Sequence, residues 1–165
     1  MTHVVEGLPR IMRLKLSSAE DAAVGRALRA RENAYAPYSK YKVGAAVVSK
    51  KGNVYVGANA ENHIFVVPHA ELNACAAMVA DGEYEFTTLV CAAENGGIPC
   101  GFCLQATREW AGRDLSKVFV IGVGIRDPYT VIRCTFAEAI QVIDAFGPEH
   151  METAFPEVAA YRPHA

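Results

Sequence analysis

The sequence predicts a three-layer α/β/α domain built on a mixed central sheet of five strands. Three observations carry this reading. Helix-like and strand-like runs follow in the order α-β-β-α-β-α-β-β-α. Capping patterns stand at the head of the first and last helices, and a tight turn joins the first two strands. Strands interleaved with helices call for helices layered on a sheet. A hairpin at its start makes that sheet mixed rather than parallel.

The first helix opens at "SSAE", where Ser17 can cap a backbone N–H while Glu20 reaches back, a capping box. Ala22, Ala23, Ala27 and Leu28 then recur at helical spacing, and Pro37 sets the limit of that helix. "KVGAAVVS" and "NVYVGAN" are β-rich runs separated by "KKG", a hairpin turn. An alanine-rich helix is predicted over 70–81, with Gly82 as its stop. "FTTLVCAA" (86–93) is the third strand, and the loop "ENGGIPCG" leads to a third helix over 101–111. "KVFVIGVG" is continuously apolar, as a buried strand is. "VIRC" gives a fifth short strand. "TFAE" at 135–138 repeats the capping box before a last helix that ends near Phe146, Gly147 and Pro148. One domain over 1–150 accounts for these elements, and 151–165 form a C-terminal tail with no assigned role.

Composition narrows the function. The chain has 165 residues, 52% of them hydrophobic and 21% charged, which suits a globular domain with a substantial core. A formal net charge of −2 gives no pull toward nucleic acid or anionic membrane. "RIMRLK" (10–15) is a single short basic patch, where single-strand binders present a basic groove with aromatics. No apolar run reaches the ~18 residues of a spanning helix, and the first residues lack the apolar core of a signal peptide. The expectation is a cytoplasmic protein with no membrane and no polynucleotide partner.

Chemistry concentrates in two places. His69 and Glu71 stand at the entrance of the second helix, and Cys100 and Cys103 form a C-x-x-C at the entrance of the third. Helix N-termini favour thiolate over thiol, and Pro99 helps fix the turn before Cys100. A C-x-x-C alone also suits a redox pair or simple core packing, but either leaves His69 and Glu71 unexplained. One histidine and two thiolates make three ligands, the number typical of a catalytic zinc with an open fourth position. Cys75, Cys91 and Cys134 sit singly in apolar surroundings and read as small core residues.

H-A-E followed by P-C-x-x-C is the zinc-deaminase signature. "NAYAPYSKYKVGAAVV" (33–48), "GANAEN" (57–62) and "AFGPE" (145–149) extend the likeness, so that the chain resembles the cytidine deaminase family from about residue 19 to 149. The resemblance implies that His69, Cys100 and Cys103 hold Zn²⁺ and that Glu71 shuttles protons. It places Asn59 and Glu61 against the ribose hydroxyls, and Tyr41, usually phenylalanine, beside the pyrimidine. It gives the Ala70 N–H to the pyrimidine carbonyl. Phe146 matches an aromatic that reaches a neighbouring subunit's site in tetrameric members. The implied function is hydrolytic deamination of cytidine or deoxycytidine, with a small nucleoside as partner and a homotetramer, or a dimer, as assembly.

Three departures bear on the substrate. "HIFVVP" (63–68) replaces the segment that helps seat the sugar, leaving His63 as a polar contact on the 5′ side. Leu104 stands where an arginine usually follows the second cysteine. Leu72 follows Glu71 where three-cysteine members commonly carry arginine. Histidine with two thiolates gives a neutral zinc site, beside which an arginine would be an uncompensated charge. His69 and Leu72 therefore read as a coupled choice. The alternatives are the same chemistry on another amino heterocycle (a blasticidin S-like antibiotic, a modified pyrimidine or deoxycytidylate) and a non-catalytic zinc-stabilised module.

Overall fold

The computed structural model describes residues 16–64, 66–126 and 130–145, the side chains of 130 and 142–145 excepted. The elements are α1 (Ser18–Glu32), β1 (Gly44–Ser49), β2 (Val54–Ala58), α2 (Ala70–Ala80), β3 (Phe86–Ala93), α3 (Gly101–Thr107), β4 (Phe119–Gly124), β5 (Thr130–Thr135) and α4 (Phe136–Ala145). Short 3₁₀ turns, Arg108–Trp110 and Leu115–Lys117, join α3 to β4. The strands form one sheet in the order β2-β1-β3-β4-β5. β1 is antiparallel to β2 and β3, β4 is parallel to β3, and β5 is antiparallel to β4. This is the predicted mixed five-stranded sheet.

Side-chain alternation along β1 divides the core. Ala45 and Val47 join Leu89 and Val120 under α2, α3 and α4. Ala46 and Val48 join Val90, Ile121 and Val123 under α1. β1, β3 and β4 are covered on both faces, which is why their sequences run apolar without alternation. Among the described residues no helix is long and apolar enough to cross a membrane.

Both capping boxes form. The Glu20 carboxylate accepts the Ser17 N–H at 2.8 Å, and Glu138 accepts the Thr135 N–H at 2.7 Å. Two details depart from expectation. The buried stripe of α1 is Ala23, Val24, Ala27 and Ala30, while Ala22 is exposed. α3 ends at Thr107 rather than continuing to 111. There the Thr107 hydroxyl donates to the Cys103 carbonyl at 2.7 Å, a back-bond that tightens the last turn, and the 3₁₀ segment follows. The "RIMRLK" patch, Phe65, Phe146 and the 151–165 tail lie outside the described residues.

Arg133 of β5 ties the sheet edge to α1. Its guanidinium donates to Glu20 at 2.7 Å and lies over the Phe119 ring at 3.6 Å. Burial pushes the Glu20 carboxyl up, but the Ser17 donors and Arg133 together hold it below its usual value. A depressed carboxyl pKa stabilises the fold above the unfolded value and loses that contribution as pH falls through the folded one. Arg133→Ala is therefore expected to lower Tm by roughly 5 °C at pH 7. The gap between variant and wild type should narrow as acid protonates Glu20 below its ordinary 4.5. Thermal melts from pH 7 to pH 3 check this, and a gap independent of pH would contradict it.

Candidate metal centre and cavity

His69 is the N-cap of α2 and Cys100 the N-cap of α3, both in extended backbone (φ −71°, ψ 151° and φ −64°, ψ 164°). Neither side chain caps its own helix, so both are turned to another use. Nδ1 of His69 lies 3.2 Å from Cys103 Sγ and 3.7 Å from Cys100 Sγ. All three donor atoms fall within 4.8 Å of one another. Tetrahedral Zn²⁺ with bonds near ~2.3 Å to sulfur and ~2.1 Å to nitrogen places such atoms about 3.6 Å apart. The donor set and its spacing fit zinc. The neighbouring Cys103 brings the Cys100 thiol down to about 5, and Cys100 in turn pushes Cys103 far up. The Phe102 ring meets His69 edge-on, with centroids 5.4 Å apart.

Close backbone approach seats the two helices. A Cβ on Gly57 of β2 would come within 2.3 Å of the Ala70 carbonyl and 2.4 Å of the Ala74 nitrogen, so only glycine lets α2 lie against the strand there. Asn73 adds a bond from Nδ2 to the Ala58 carbonyl at 2.8 Å. On the other side, a Cβ on Gly122 would meet the Gly97 carbonyl at 2.2 Å, so the glycine loop before Cys100 rests directly on β4.

Glu71 sits in the first turn of α2 and is 4% exposed. Its Oε2 accepts from the Cys103 thiol at 3.3 Å. Cys91 of β3 faces the same carboxylate, and burial, followed by the charge of Glu71, pushes its thiol well above the usual range. Cys91 therefore remains a neutral donor beside Glu71. The sequence reading gave Cys91 only a packing role. Its position on β3, just before the loop to Cys100, was the available signal.

A cavity of about 380 Å³ opens above these groups. His69, Ala70, Glu71 and Cys100 line it together with Ser39, Asn59 and Glu61. Tyr41, Val43, Val67 and Ile98 supply apolar wall. The structure thus brings together every predicted site residue within its described part, with Cys103 buried behind the lining. As the first residue of α2, Ala70 carries an N–H with no acceptor within the helix. His63 is exposed and off the lining, whereas Val67 of the same segment is on it. Leu104 is 1% exposed and packs in the core beneath α3.

Asn59 and Glu61 also build the wall they stand on. Asn59 Oδ1 accepts the Val43 N–H at 2.8 Å, and its Nδ2 donates to the Tyr41 carbonyl at 2.9 Å. Glu61 accepts the N–H groups of Tyr38 and Ser39 at 2.8 and 3.1 Å, and the Ser39 hydroxyl as well. That hydroxyl, first among its partners, holds the Glu61 carboxyl below the usual range. Ser39 was missed as an individual residue, although it lies inside the quoted "APYSKY" run.

Residues 17–120 match the family model described as the cytidine and deoxycytidylate deaminase zinc-binding region. A cytidine deaminase of Sporosarcina psychrophila is 41% identical over 85 residues, covering 50% of this chain and 62% of the relative. One from Halalkalibacterium halodurans is 36% identical over 97 residues, covering 57% and 73%. The crystal structure of cytidine deaminase from Burkholderia pseudomallei superposes with a TM-score of 0.65 at 31% identity, covering 72% of this chain and 94% of that one. The enzyme from Mycobacterium tuberculosis gives 0.60 at 27% identity, covering 78% and 97%.

Proposed function

The chain belongs to the cytidine and deoxycytidylate deaminase family, and from that premise we propose that it hydrolytically deaminates a free pyrimidine nucleoside, cytidine or deoxycytidine, to the uridine product and ammonia. The observation that carries this reading is one cavity lined by two members of a His–Cys–Cys donor set, a buried carboxylate and the polar pair Asn59 and Glu61.

His69, Cys100 and Cys103 would hold the zinc, which when bound lowers the pKa of a water at its open position toward ~7 and so supplies a nucleophile at neutral pH. Glu71 takes a proton from the attacking water and delivers it to ring N3 as the water oxygen bonds to C4. It then takes the second proton from the new C4 hydroxyl and passes it to the amino group, so that the C4–N bond breaks, ammonia leaves and the C4 carbonyl of the product forms. The Ala70 N–H donates to the pyrimidine carbonyl, and Tyr41 packs along the ring. Asn59 retains one amide hydrogen and Glu61 acceptor capacity for the sugar. Val67 and Ile98 exclude water from the base.

The lining also speaks for a nucleoside over a nucleotide. Among the described residues it contains no lysine or arginine, and Glu61 faces it as an anion. Lys40, whose charge bears on Glu61, lies off the lining. A phosphate would meet like charge without a paired cation. The second reading is the same chemistry on a different amino heterocycle. It draws on the exposed apolar residues Ile64 and Val66 beside Val67, which give this rim a character of its own.

A panel of cytidine, deoxycytidine, deoxycytidylate, 5-substituted cytosine nucleosides and blasticidin S, scored by ammonia release with zinc quantified on the same sample, tests the proposal. Cytidine and deoxycytidine are expected to lead, with deoxycytidylate weak. A leading non-cytidine substrate would favour the second reading, and zinc without turnover would favour a non-catalytic module. The proposed assembly is a cytoplasmic homotetramer; light scattering after size exclusion reads it directly.

A further inference from the structure

Glu61 is 8% exposed, yet the two oxygens of its carboxylate are held very differently. Oε2 accepts two backbone N–H groups, from Tyr38 and Ser39. Oε1 has a single partner among the described residues, the hydroxyl of Ser39. The same hydroxyl oxygen accepts the N–H of Tyr41 at 3.0 Å. A relay therefore runs from the Tyr41 N–H through the Ser39 O–H to Glu61, and all three residues line the cavity. Lys40, within the strap formed by residues 38–41, has φ 59°, a left-handed conformation that a non-glycine residue holds only where its surroundings determine it. The surroundings here are the Ser39 relay on one side and the Asn59 bonds to Tyr41 and Val43 on the other.

We infer that Ser39 is a positioning residue for the nucleoside site: its hydroxyl orients the Glu61 carboxylate toward the sugar. This rests on the nucleoside reading above. A carboxylate has about four acceptor sites. Three are occupied from the strap, which leaves one directed by the others. Without the Ser39 hydroxyl, Oε2 keeps its backbone donors but Oε1 keeps none. The carboxylate then turns about its terminal torsion, which is broad and weakly restrained on its own. Glu71 and the metal ligands come from α2 and α3 and make no hydrogen bond to Ser39. The loss falls on sugar recognition, not on the chemical step.

The test uses full-length, zinc-loaded enzyme with Ser39→Ala and Ser39→Thr. Ser39→Ala is expected to raise KM for cytidine about tenfold, the size of one charge-assisted hydrogen bond, while kcat stays within about twofold. Ser39→Thr should restore KM. With 2′,3′-dideoxycytidine, which offers Glu61 no secondary hydroxyl, Ser39→Ala should leave KM unchanged. Independently of turnover, a ¹³C side-chain titration of Glu61 should give a midpoint that rises in Ser39→Ala and returns in Ser39→Thr. A KM shift of equal size on both substrates, a fall in kcat alone, or an unmoved Glu61 midpoint would overturn the inference. Wild-type protein that turns over neither nucleoside would instead overturn the nucleoside reading, with the titration still deciding the role of Ser39.

Discussion

Glu71→Gln is expected to lower kcat by about 10³-fold or more while the protein keeps its zinc and its fold. The two side chains have nearly the same shape, and position 71 lies in the first turn of α2 at 4% exposure, so the amide fits without repacking. The amide cannot accept a proton from water or release one to N3 and the leaving amino group, and proton transfer by a positioned side chain is worth ~10²–10⁴ per role. Here one carboxylate serves every transfer, which puts the loss toward or beyond the upper end. The metal donors are untouched, since Glu71 is separate from the His69, Cys100 and Cys103 set. Metal analysis, a thermal melt and single-turnover ammonia release on the same preparation read the three expectations apart. A variant with wild-type turnover would sink the mechanism. A variant without zinc would show that Glu71 holds the metal rather than the proton.

Local chemistry made part of this legible before any coordinates. The capping boxes at Ser17 and Thr135 are contained within four residues each, and they form as read. The donor set was legible because each ligand stands at the mouth of a helix whose start the sequence marks. What the sequence did not show depends on distant backbone. Nothing near Gly57 announces that the Ala70 carbonyl lies where its Cβ would be, and Gly122 gives no sign of the Gly97 carbonyl. Asn59 and Glu61 were read as facing the ligand. Their bonds to Val43, Tyr41, Tyr38 and Ser39 cross 16 to 23 positions and appear only once β2 and the strap are adjacent. Leu104 looked like a lost polar contact, but it is buried in the core cluster that also holds Val120 and Phe136. The shortening of α3 has the same character, because the Thr107 back-bond competes with a continuing helix that composition alone favours.

Cys103→Ala and Cys100→Ala should both empty the metal site, but they should differ in what happens to the fold. Each removes one of three donors, and loss of an outer partner alone typically costs 10–100-fold in metal affinity or activity, so loss of a ligand should cost more than that. Turnover below about 1% of wild type is the expected result for both. Their surroundings separate them. Cys103 is fully buried and joins His69 to the Glu71 carboxylate, whereas Cys100 is exposed at the cavity mouth. Alanine at 103 leaves a void in the packed end of α3 and removes the thiol that satisfies Glu71 Oε2. Alanine at 100 leaves its gap open to water. Cys103→Ala should therefore lower Tm further than Cys100→Ala, and the difference should persist after both proteins and the wild type are stripped with a chelator. Stripping itself should lower the wild-type Tm, since a ligand that binds the folded chain stabilises it by mass action. Metal content, ammonia release and melts with and without chelator distinguish these outcomes. Full zinc occupancy in either variant would remove that cysteine from the donor set, and equal melting of the two stripped variants would mean that burial at 103 contributes nothing beyond the metal.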